Sequence, residues 1–181
     1  MNLSRFRNFC RINAYALQIF SIFIFVAVVY SVYTYVSGTT TLSFTYNSPD
    51  ITLFSMGGSK GAIGITEAER QIAAFTMIPI TQAVTIFVLL AGSAAFKWLA
   101  DGKRPFDFNF VKIIKRISLT LMISDIILPL VHSFVLGVIS VDGYNLNFGF
   151  GSGFIMGVIL YVVSEIFNYG IELQNLSDDV V

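Results

Sequence analysis

Three ionisable side chains stand inside long apolar runs of this sequence: Asp125, His132 and Glu165. A charged Asp near the middle of a bilayer costs about 2.5–3.5 kcal/mol on insertion scales, so a carboxyl kept there is a functional candidate by default. His132, the only histidine, follows Asp125 by seven positions. Two helical turns put both on one face, about 10 Å apart along the axis. Pro129 stands between them and frees the carbonyl of Asp125 from its usual helical hydrogen bond. Asp125, Ser124, His132 and Ser133 can therefore be drawn as a polar track that passes a proton or holds an ion. The alternative is that Asp125, protonated or bonded to a neighbouring helix, fixes packing. No second carboxylate at that depth completes a site, which favours packing. Glu165 falls at the depth of Lys115, Arg116 and Arg11. A structural ion pair reached by snorkelling is expected there, with transport or gating as the alternative.

Hydrolytic chemistry finds no support. A nucleophile–His–acid set would need His132 beside Ser133 or Ser124, and near neighbours on a helix point away from each other. H-E-x-x-H, G-x-S-x-G and paired metal ligands are absent. Met56-Gly-Gly-Ser-Lys-Gly61 lacks the spacing of a phosphate-binding loop and reads as a flexible connection. A single cysteine, Cys10, excludes an internal disulfide and a cysteine metal cluster. It reads as an inert small residue, with membrane-edge palmitoylation as the sharper alternative. The chain is thus expected to be no enzyme, with no catalytic, cofactor or metal site.

What positions these residues is set by the solvent. Of 181 residues 55% are hydrophobic and only 12% charged, with mean hydropathy +0.76. Soluble domains carry about 25% charged residues, so a chain this apolar must be surrounded largely by lipid. Zero net charge gives a nucleic-acid role no electrostatic support. The fold class expected is an all-α membrane protein, a single domain over 1–181 with four transmembrane helices in a four-helix bundle. The helices are expected at about 13–36, 67–99, 110–139 and 152–169. The outer loops are 37–66 and 140–151, the inner loop is 100–109, and the tail is 170–181.

Residues 13–36 carry no formal charge and span about 36 Å as a helix, enough to cross a core of about 30 Å. Tyr30, Tyr33 and Tyr35 suit an interfacial belt at its far end. In the first outer loop Leu42, Phe44 and Tyr46 alternate with polar residues, Asn47-Ser-Pro-Asp50 is a turn signal, and Ile51 and Leu53 resume the alternation, the pattern of a hairpin. Tyr144, Leu146, Phe148 and Phe150 alternate in the second outer loop and can pair with the first. Thr66-Glu-Ala-Glu69 is a capping box that opens the second helix, and Asp107 or Asn109 is suited to cap the third. Pro79 removes one backbone hydrogen bond of the second helix, so a local kink or a neighbour that satisfies the freed carbonyl is expected. Ala91 and Ala95 mark a small-residue patch on it. Gly149, Gly153 and Gly157 form a second patch at the fourth helix, suited to close packing in lipid.

Charge sets the orientation. Three basic residues precede the first helix and six fall in Lys97–Arg116, against two in the first outer loop and none in the second. That asymmetry places both termini in the cytoplasm.

Two stretches on that side carry a family likeness. Gly102-Lys-Arg-Pro-Phe106-Asp107, with Val111-Lys112, Ile114-Lys115 and Ile117-Ser118 after it, is one. Gly170-Ile-Glu172-Leu-Gln174, followed by Asp178-Asp-Val-Val181, is the other. Together they resemble the small bacterial four-helix membrane proteins grouped as domain of unknown function 2975. Here one extra residue precedes Pro105, Asp107 stands for the usual Ser or Thr, and the tail has Asp-Val where Leu-Thr is common. The resemblance implies the bacterial cytoplasmic (inner) membrane and a family often encoded beside small helix-turn-helix regulators. It carries over no catalytic or binding residue.

The resulting expectation is a non-enzymatic regulatory or docking module. Its partner, a cytoplasmic or membrane protein, would meet Lys103, Arg104 and Phe106 of the loop and Glu172 and Gln174 of the tail. Homo-oligomerisation is compatible with the small-residue patches. A small transporter or proton-coupled channel using Asp125 and His132 is the alternative from another class. An immunity-type protein that meets a membrane-active toxin through its outer loops is the third.

Overall fold

The structure is a computed structural model that describes residues 3–38, 51–59, 66–102, 107–140 and 143–178. Four helices and two strands follow in the order α1 (Leu3–Val36), β1 (Ile51–Ser59), α2 (Glu67–Ala100), α3 (Phe108–Ile139), β2 (Gly143–Phe150) and α4 (Ser152–Asp178). All four helices are long and apolar enough to cross a membrane.

The helices outrun the apolar segments at the charged ends. α1 begins at Leu3 and not near residue 13, and α4 continues to Asp178 and not to residue 169. Arg, Glu, Gln and Leu are good helix formers, so the end of a hydrophobic run is a change of solvent and not a helix stop. True stops and starts have local causes. At α2 the Thr66 hydroxyl accepts from the Glu69 N–H at 3.4 Å while the Glu69 carboxylate accepts from the Thr66 N–H at 2.8 Å. At α3 Asp107 Oδ1 accepts from the Asn109 N–H at 2.7 Å, so Asp107 is the cap. Pro79 and Pro129 both lie inside continuous helices.

The helices form an open row and not a closed bundle. Among the described residues α1 packs only on α2, α2 on α1 and α3, and α4 on α3 and β2. Lipid tails are as apolar as leucine, so helix pairs are held by close approach and hydrogen bonds, not by hiding apolar area. The buried positions show it: Ala14, Ala73, Ala74, Ser93, Ser118 and Ser164 are among them, while Ile19 and Phe23 of α1 are 68% and 67% exposed. Between α1 and α2, the Ser93 hydroxyl donates to the Ala14 carbonyl at 2.9 Å, and Tyr35 stacks on Phe75 at 5.1 Å.

The outer loops meet. β1 and β2 pair antiparallel, Phe54 opposite Phe148 and Ser59 opposite Gly143, with an irregularity between Thr52 and Phe54. Met56–Ser59, expected as a flexible loop, is strand, because the pairing uses backbone groups that Gly57 and Gly58 supply as well as any residue. The hairpin expected across Asn47–Asp50 lies outside the described residues, as do Lys60 and Gly61 of the glycine-rich stretch. β2 packs on α3, so the fourth layer of the row changes character along its length: strand beside the far half of α3, helix beside the near half.

Candidate functional site

Asp125 stands where that change occurs. α3 continues about 21 Å beyond it to Ile139, and β2 returns over a similar distance, eight residues at about 3.3 Å each, to deliver the chain to Gly151. α4 therefore starts level with the middle of α3. A helix start leaves backbone N–H groups without intrahelical partners, and in an apolar surround each is costly to leave bare. Asp125 Oδ2 accepts from the Gly151 N–H at 2.6 Å and from the Phe154 N–H at 3.0 Å. The carboxylate thus caps α4 from another helix. An acceptor oxygen there also suits the positive end of the α4 dipole.

Two glycines make room for it. A Cβ on Gly151 would lie 2.9 Å from Asp125 Oδ1, and one on Gly153 would lie 3.1 Å from the same atom. One turn on, a Cβ on Gly157 would meet Met122 Cγ at 2.6 Å and the Ser118 carbonyl at 2.8 Å, so here the backbones of α3 and α4 nearly touch. Gly149, the third member of the expected glycine face, lies in β2 and not in α4.

The drawn polar track divides. Ser124 donates to the Leu121 carbonyl of its own helix at 3.2 Å and lines the groove toward α2, whereas Asp125 turns to α4. His132 is half-buried and Ser133 is buried, two turns further along α3. Among the described residues no group of three His, Cys, Asp or Glu side chains gathers as a metal site.

Toward the other end of α3, Lys115 Nζ donates to Glu165 Oε1 at 2.6 Å and lies 4.9 Å from the centre of the Tyr161 ring. Both charged side chains are about two-fifths exposed, at 42% and 43%. Phe110 meets Phe167 edge-on at 5.9 Å below them. Cys10 is buried at 1% exposure, which suits a packing role and leaves no open thiol for an acyl chain.

Of the small-residue patch on α2, Ala91 and Ala95 are half-buried, and the residue in hydrogen-bonded contact with α1 is Ser93 between them. Sequence reasoning missed Ser93 and Gly151. The signal for the first was a hydroxyl centred in a run of small residues; for the second it was a Gly-x-Gly immediately before the helix.

Of the docking candidates, Glu172 and Gln174 lie among the described residues. Arg7 of α1 lies against Gly102, so the start of α1 and the end of α2 are neighbours. Lys103, Arg104 and Phe106 are outside the described residues. Glu172 is exposed and Gln174 half-buried on the last turns of α4, beside Leu173 and Leu176, which are 49% and 63% exposed.

Comparison with known proteins returns no matching family model, no matching curated protein and no matching solved structure.

Proposed function

We infer that this chain is a non-enzymatic, multi-pass protein of the bacterial plasma membrane that docks a protein partner through its basic, cytoplasmic end. The observation that carries this reading is the end of α4. The helix continues about 16 Å past Phe167, the residue level with the start of α3; Ile171 is buried there, while Glu172, Leu173 and Leu176 are exposed. Two exposed leucines one turn apart beside an acidic residue make a short amphipathic surface suited to a partner helix or groove. Lys112 of the neighbouring α3 is an exposed cation at the same end, and Arg5, Arg7 and Arg11 of α1 are exposed across the row. The positive-inside asymmetry puts that end in the cytoplasm. The likeness of 102–118 and 170–181 to domain of unknown function 2975 supports the same side and points to a regulatory partner.

The test is a crosslinking pull-down from native membranes with the full chain and with a chain lacking 172–181. A partner captured by the first and lost from the second, with both inserted equally, is the expected result. Equal capture by both would overturn the docking reading, and capture of a toxin that survives the truncation would favour the immunity reading. A reporter fused to the C-terminus tests the side: an extracytoplasmic signal would sink it.

The transporter reading draws less support. Asp125, its central group, already holds the start of α4 with two backbone hydrogen bonds.

A further inference from the structure

Between α2 and α3 runs an open groove of about 610 Å³. Its walls include Val84 and Phe87 from α2 and Leu119, Ile123 and Ile127 from α3, and Arg116 lines its basic end. The polar side chains along it are satisfied internally. Thr120 donates to the Arg116 carbonyl at 2.8 Å, and Ser124 to that of Leu121. The wall therefore offers methyl and methylene surface and no free donor to a polar substrate. Arg116 differs. It is exposed, and among the described residues no carboxylate pairs with it. Lys112 stands one turn before it on the same helix face, also exposed.

We propose that this groove binds the acyl chain of an anionic phospholipid, with the phosphate held by Arg116. Reach and charge both fit. From Arg116 to Val131 the groove lining runs about 22 Å along α3, enough to cover the half-thickness of about 15 Å that one leaflet contributes. A cation at one end of an apolar slot between helices, about 12 Å along α3 from its start at Phe108 and one turn beyond a second cation, Lys112, is the arrangement that holds acidic headgroups. Guanidinium is suited to it, because its planar donors match phosphate oxygens two at a time. Which leaflet supplies the lipid rests on the orientation inferred above. The binding itself does not, so the two can fail separately.

The test uses the full chain purified in mild detergent, with phosphatidylglycerol and phosphatidylcholine of identical acyl chains as probes, read as retained adducts by native mass spectrometry. The wild type is expected to retain phosphatidylglycerol at least fivefold over phosphatidylcholine. Arg116→Gln should abolish that preference, and Arg70→Gln, at the opposite end of α2, should keep it. Ile123→Trp, which fills the groove and leaves Arg116 in place, should reduce retention of both lipids. Circular dichroism confirms that each variant keeps its helices. Equal retention of the two lipids by the wild type, or an unchanged preference in Arg116→Gln, would overturn the proposal. So would efficient disulfide crosslinking between two copies carrying Ile123→Cys in a Cys10→Ala background, because a second copy would then occupy the groove.

Discussion

The two halves of α3 face different neighbours, and each is held by a different kind of interaction. From Phe110 to Met122 the helix lies against α4, with Gly157 brought to the Ser118 backbone, Lys115 bonded to Glu165 and Phe110 against Phe167. Beyond Asp125 it lies against β2, whose backbone bonds are made to β1. A helix meets its own backbone needs, so a second helix can approach it as closely as side chains allow. A strand cannot, and needs another strand. The passage from strand to helix leaves donors unmet, and Asp125 supplies the acceptor. Of the two roles that the sequence offers Asp125, proton carrier or packing residue, the hydrogen bonds to Gly151 and Phe154 favour the second, at the joint between the halves.

Substitutions can break each half in turn. The largest effect is expected from Gly157→Leu, which drives a side chain into the Ser118 and Met122 backbone. A loss of about 3 kcal/mol or more, the upper end for overpacking, should appear as poor recovery or a collapse of thermal stability in detergent. Asp125→Ala acts on the joint, leaving the Gly151 donor bare and the Phe154 N–H with only its 3.2 Å bond to the Gly151 carbonyl. A loss of about 2 kcal/mol is expected in denaturant titrations. Asp125→Asn keeps an acceptor oxygen for the start of α4, so a smaller loss, about 0.5–1 kcal/mol, should follow. At the α1–α2 contact, Ser93→Ala removes one interhelical hydrogen bond, worth about 0.6 kcal/mol in membrane proteins. Glu165→Gln should produce the smallest change, because its pair with Lys115 is half open to solvent. A loss at Glu165 larger than at Asp125 would invert the ranking and move the joint to the charged pair.

Much of this was legible in the residues. The long apolar runs announce four helices, Thr66 and Glu69 announce the start of α2, and alternation in the two outer loops announces their pairing. Lys115 is one of three cations that charge and depth offer to Glu165, and side-chain reach selects it. Other features left no trace of the right kind. Hydropathy marks where lipid ends and not where a helix ends, so the first ten residues of α1 and the last nine of α4 read as tail. Glycines at 57 and 58 read as loop because strand pairing through the backbone needs no side chain. A helix in lipid is apolar all round, so nothing in its pattern says which face has a partner, and a closed bundle was as readable as an open row. The depth of Asp125 was readable but its partner was not, since no count along the chain shows that a strand returns beside α3 before α4 begins.

The joint is tested most directly by hydrogen exchange at the Gly151 and Phe154 amides, resolved by NMR in micelles, for the wild type and Asp125→Ala. Both amides should be protected in the wild type and should exchange at least tenfold faster in the variant, while Leu160 and Val163 in the body of α4 stay protected. Unchanged protection at Gly151 and Phe154 in Asp125→Ala would contradict the capping role and return Asp125 to the list of groups free to carry a proton.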